Sequence, residues 1–122
     1  MANNSQQPGD VMTWTNATGS AVVSGQVVVV GKILAVALVD IANGASGSVA
    51  LQGVFRVPKA SAAVIAQGEN LTWDVSAGNF DDNAATPATG DVTGPPAVAF
   101  EAAGNGVTTL AVRLTGVPGT VT

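Results

Sequence analysis

The sequence predicts an all-β domain, a small antiparallel β-barrel or β-sandwich of about seven or eight short strands with one short helix over residues 59–67. Three observations predict it. Valine-rich segments are cut at short intervals by the chain's 15 glycines, the pattern of strands and tight turns. Several segments alternate apolar and polar residues with period two, as a strand with one buried face does. Clusters of Asn, Asp, Ser, Gly and Pro recur between them, each supplying turn geometry.

Taken in order, residues 1–9 are polar, lack periodicity and end in Pro8-Gly9, and are expected to form a flexible N-terminal arm. Residues 10–122 form a single β domain, since no interior linker divides them. Asp10–Thr15 carries Val11, Met12 and Trp14 in a first strand, and Asn16–Ser20 is a turn cluster. Ala21–Val23 is briefly extended. Val27–Val30 and Ile33–Val39 are nearly continuous apolar runs, joined by a turn or bulge at Gly31-Lys32 and expected to be buried on both faces. Ser48–Val57 alternates along its length, with Val49, Leu51, Gly53, Phe55 and Val57 on one face. Lys59–Gln67 is the helical candidate: alanine-rich, preceded by Pro58 and stopped by Gly68.

Asn70–Val75 turns Leu71, Trp73 and Val75 inward, and Ser76-Ala77-Gly78 makes a hairpin turn into Asn79-Phe80. Residues 81–96 concentrate Pro, Gly and Asp and are expected to form a long loop, functional or mobile. Ala97–Glu101 would place Val98 and Phe100 inward, and Val107–Leu114 would bury Leu110, Val112 and Leu114. Residues 115–122 form a short tail.

Composition excludes much chemistry. Cysteine and histidine are absent, which removes thiolate catalysis, disulfides, and the commonest general base and metal ligand. Four cations, Lys32, Arg56, Lys59 and Arg113, are scattered along a chain of net charge −4 and make no nucleic-acid footprint. The longest apolar run, Val27–Val39, is too short for a membrane helix. The first residues lack the basic and apolar parts of a secretory signal. The carboxylates sit beside Gly, Asn or Pro, where Asp serves turns. Asp81-Asp82-Asn83 lacks the spacing of a calcium loop, and the glycines spell no phosphate-binding motif. No catalytic, cofactor-binding or metal residue is assigned, no cofactor is expected, and the chain is not expected to be an enzyme. Only 10% of residues are charged, whereas free-standing surfaces carry about 25–35%. That deficit points to a surface covered by partners.

The order of segments resembles the small phage head decoration, or capsid cement, proteins. The similarity rests on Gln7-Pro8-Gly9-Asp10, on Ser24-Gly25-Gln26 followed by Val27–Val30 and Gly31, and on Gly53-Val54-Phe55-Arg56-Val57-Pro58-Lys59. It continues through Gly68–Asp74, with its Leu71, Trp73 and Asp74, to Arg113-Leu114, covering about residues 7–114. The 81–96 loop and the 115–122 tail depart from the pattern. The resemblance implies a non-enzymatic virion protein, made in the host cytoplasm. It would bind the outside of the phage head as a small oligomer and clamp neighbouring major capsid subunits against the pressure of packaged DNA. The expected partners are the major capsid protein and further copies of the chain, a homotrimer with a dimer as the alternative; nucleic acid and membrane are not expected. Candidate capsid contacts are Asn3, Gln6, Pro8, Asp10, Trp14, Asp82, Pro87 and Pro95. Candidate oligomer contacts are Val28, Val30, Ile33, Lys59 and Val64. The alternative function is a glycan- or receptor-binding virion module that uses Trp14 and the long loop.

Overall fold

A computed structural model describes residues 9–122. It contains ten strands: β1 (Val11–Thr15), β2 (Val27–Val30), β3 (Ile33–Ala37), β4 (Ser46–Ala50), β5 (Gln52–Pro58), β6 (Asn70–Asp74), β7 (Asn79–Asp81), β8 (Val92–Ala99), β9 (Thr109–Thr115) and β10 (Thr120–Val121). They form two antiparallel sheets. The small sheet has the order β1-β4-β3-β2, and the large one β5-β9-β8-β6-β7, with β10 also pairing β8. The all-β, sandwich-like architecture is the expected one.

The β2–β3 hairpin turns at Gly31-Lys32, with Val30 opposite Ile33. Gly31 takes φ +60°, the positive angle that a two-residue hairpin demands at its first turn position. The β6–β7 hairpin closes as expected too. Asp74 Oδ1 accepts hydrogen bonds from the Ser76 and Ala77 amides, both 3.1 Å, and from Ser76 Oγ at 2.8 Å. Those bonds hold its carboxyl below the ordinary range.

Between the sheets lies a first core. The small sheet contributes Val27, Leu34 and Val36; the large sheet contributes Val57, Leu71, Trp73, Phe80, Val92, Leu110, Val112 and Leu114. Trp73 and Phe80 sit opposite each other on β6 and β7 and meet edge-on, ring centroids 4.8 Å apart.

Four expectations are corrected. First, residues 59–67 are not helical. Lys59 bridges to Phe80 and Ile65 to Ala103, while Ala63 and Ile65 are buried with exposed residues between them. Period-two burial and a β-branched pair, Val64-Ile65, override the modest helical preference of the alanines. Lys59 itself is buried, its Nζ donating to the carbonyls of Ala60 (2.8 Å), Gly104 (3.0 Å) and Val107 (3.1 Å). Second, the alternating run 48–57 is two strands in two sheets. β4 and β5 are separated only by Leu51, where the chain crosses between layers.

Third, the 81–96 loop ends at Asp91, because β8 begins at Val92. Pro95 and Pro96, which lack amide donors, lie opposite the gap between the β9 and β10 pairings of β8. Asp91 is buried and ties the loop down, accepting from the amides of Val75 (3.1 Å) and Ala88 (2.9 Å). The tail is likewise not free, since Thr120 and Val121 pair with Thr93 and Val92. Fourth, β8 is phased one residue from expectation. Ala97 and Ala99 face the core, and Phe100 is 54% exposed. Val75, expected inside, is 46% exposed.

Candidate functional site

The small sheet is apolar on both faces. Along β2 and β3 the side chains of Val27, Leu34 and Val36 enter the first core, while those of Val28, Ala35 and Ala37 point the other way. Directly opposed residues in an antiparallel pair share a face. Val28 opposes Ala35, Val30 opposes Ile33, and Met12 opposes Val49. This outer face therefore carries Met12 and Trp14 from β1, Val49 from β4, Ile33, Ala35 and Ala37 from β3, and Val28 and Val30 from β2.

A second, smaller core forms there. Val22 and Ile41, joined by an antiparallel bridge, cap it from outside the sheet. Gly47 opposes Trp14, and a side chain at Gly47 would collide with Ile41, whose Cγ1 lies 2.6 Å from where a Cβ would stand. Glycine here lets the Ile41 segment lie on the sheet. The fully buried Asn16 fastens the same loops. Its amide donates to the carbonyls of Ser20 (2.8 Å) and Ile41 (3.0 Å), and its Oδ1 accepts from Thr18 N and Oγ1.

The cap is partial. Val28, Ala35, Ala37 and Val49 are buried, but Met12, Trp14, Val30, Ile33 and Leu51 are only half-buried. The rim of the second core is an apolar surface on the small sheet, flanked along the chain by the exposed Lys32 at the β2–β3 turn and Asp10 before β1. A surface of this kind binds by burying apolar area, and an indole at its margin is the side chain that gains most.

The structure thus brings one capsid-contact candidate, Trp14, onto the same face as three oligomer-contact candidates, Val28, Val30 and Ile33. Val30 and Ile33 are accessible there, while Val28 lies beneath them. Lys59, held by three carbonyls inside the protomer, presents little surface to a second copy. Val64 is 65% exposed but lies on the 59–69 connection against the large sheet. Asp82 and Pro87 are half-buried on the loop between β7 and β8, and Pro95 is exposed on β8 of the large sheet, away from the strands that carry Trp14, Val30 and Ile33 in the chain. Asp10 is exposed, and its carbonyl accepts the Leu51 amide at 2.8 Å. Asn3, Gln6 and Pro8 lie outside the described residues. Met12, Leu51, Val22 and Ile41 were not singled out from sequence. The alternation of Met12 and Trp14 against Thr13 was the available signal for the first.

Among the described residues no group of acidic side chains could hold a metal ion. Asp81 and Asp82 are occupied as turn formers, accepting the amides of Asp82 and Ala84. Comparison with protein families decides what such a surface belongs to: the phage cement protein family matches residues 6–114, nearly the whole chain. The chain belongs to the phage cement protein family. Cement proteins are structural proteins of the phage capsid, which accords with a site made of apolar side chains rather than of acids and bases. No curated protein matches this cement protein significantly.

Proposed function

We propose that this cement protein binds the outer surface of the phage head as a small oligomer, a trimer, and clamps neighbouring major capsid subunits so that the shell resists the pressure of packaged DNA. Family membership over residues 6–114 is the observation that carries the proposal. The second core supports it: its half-buried rim, with Trp14, Met12, Val30 and Ile33, offers an apolar contact surface. Cyclic association repeats that surface at each protomer. Several weak contacts to adjacent capsid subunits then add without a fresh diffusional cost. Synthesis in the host cytoplasm and addition to the exterior of the head complete the proposal.

Light scattering on the purified chain, followed by co-sedimentation with expanded heads lacking it, tests this directly. A discrete trimer that saturates heads at fixed stoichiometry is expected. A monomer that stays in the supernatant would sink the proposal.

A further inference from the structure

Among the described residues β2 ends the small sheet, and β3 is its only strand partner. Two printed contacts fix the directions of its backbone groups. The Ala37 amide donates to Gln26 O at 2.9 Å, toward β2, and the Leu38 amide donates to Ser48 O at 3.0 Å, toward β4. Residues 33, 35 and 37 therefore face β2, so Val28 and Val30 bond to β3. The N–H and C=O groups of Val27 and Val29 point away from the sheet, with no partner among the described residues.

That open edge is recessed. It lines a cleft of ≈ 690 Å³ whose other lining residues include 20–26 from the preceding segment and Pro58, Trp73, Val75 and Gly78 from the large-sheet part of the chain. This falls within the range of about 300–1,000 Å³ typical of ligand sites. The lining includes no Asp, Glu, Lys or Arg. Backbone donors and acceptors aimed into an apolar cleft are costly unless paired. Water can reach them there, but an added strand would satisfy them and bury Val23 and Val75, which are 58% and 46% exposed.

We propose that the β2 edge at Val27 and Val29 takes up one extended, uncharged segment of the major capsid protein as an additional strand. The outward groups recur every second residue, about 7 Å apart, as a β-strand ligand requires. The edge lies within a cleft and not on an open rim, which favours a strand standing free of any sheet of its own. Family membership assigns that strand to the shell, and a strand supplied by a second copy, its residues 1–8 included, is the alternative that the concentration arm of the experiment reads. Alternate side chains of the segment would enter the cleft, and charged ones would be rejected.

This inference rests on the proposed function, and the experiment separates the two. Val75→Lys puts a cation on the cleft wall at an exposed position and should leave the thermal midpoint of the free protein unchanged. Val29→Pro removes an outward amide while leaving the Val28 and Val30 bonds to β3. Both variants are expected to lose at least tenfold in co-sedimentation with heads lacking the protein. Hydrogen exchange at the Val27 and Val29 amides should slow at least tenfold when wild-type protein is on heads. If the wild type binds and Val75→Lys binds equally, the edge assignment falls and the head-binding function stands. Protection of these amides that rises with protein concentration without heads would assign the edge to a second copy and overturn the inference. Wild-type protein that ignores heads would overturn both.

Discussion

The molecule has two hydrophobic cores that share one sheet and differ in how they are closed. The first lies between two complete layers. Phe80, Leu34, Leu71 and Leu110 are at most 1% exposed there, and large side chains from both sheets interdigitate. The second is built from small residues, Ala35, Ala37 and Val49, under a partial cap of Val22 and Ile41, and its margin is half-buried. One core is finished by the protein itself, while the other has accessible apolar surface left over. Stability should therefore reside in the first and association in the second.

Deleting the largest fully buried side chain of the closed core gives the largest effect on that contrast. Phe80→Ala is expected to cost about 3–5 kcal/mol of folding stability in urea denaturation, a large part of the total for a domain of this size. It would lower head binding only through loss of folded protein. A stability change below about 1 kcal/mol would break the assignment of this core. Lys59→Met comes next. It leaves three carbonyls without their shared donor, at a cost of about 1–3 kcal/mol, and should leave the affinity of the folded fraction for heads unchanged.

Trp14→Ala reverses the pattern. Trp14 is only half-buried, so the stability loss should stay near 1 kcal/mol, while co-sedimentation with heads falls at least tenfold. Because the rim side chains of the second core are apolar, wild-type binding should persist at about 1 M salt, where the screening length is roughly 3 Å. Release by salt would show that charges elsewhere carry the contact.

The smallest effect is of pH. Asp74 is held below its ordinary value of 3.8 by the Ala77 amide and the Ser76 hydroxyl. Glu101 is held below 4.5 by the Ala111 amide and by Arg56, which it meets at 2.9 Å. Both carboxyls bind protons less readily folded than unfolded. Their stabilisation is thus present above those ordinary values and lost as pH falls through the lowered ones. The thermal midpoint should be flat from about pH 5 upward and decline in acid. Asp74→Asn together with Glu101→Gln should flatten the acid limb, and an unchanged limb would assign it to other groups.

The strands were legible wherever polar residues broke the apolar pattern. Leu71 and Trp73 alternate with Thr72 and Asp74, and Leu110, Val112 and Leu114 with Ala111 and Arg113; all five of these inward assignments are buried in the first core. The phase was illegible where every residue is apolar. Along 97–100 nothing polar marks a face, and the small Ala97 and Ala99 join Leu71 and Leu110 in the first core while Phe100 is turned out. The break at Leu51 was hidden because the alternation continues through it. The small sheet's doubly apolar character was legible in the run Val27–Val30 and in the first five residues of Ile33–Val39, but β3 ends at Ala37 and the last two residues of that run, Leu38 and Val39, are exposed instead of buried. The rim was not, since it needed the pairing of β1 with β4 to bring Met12 and Trp14 beside Val49.

The position of β9 has a consequence for the timing of folding during synthesis. Thr109–Thr115 lies between β5 and β8 in the large sheet, yet the ribosome makes it after both. Until it emerges, β5 has no partner in that sheet, and the first rung to close on it, Pro58 with Thr109, spans much of the chain. Such distant pairings are slow to form, on a timescale of roughly milliseconds to seconds. The nascent chain thus passes through most of translation with β5 unjoined to the β8-β6-β7 part of its large sheet. A product truncated before Thr109 would lack not an edge of that sheet but one of its inner strands.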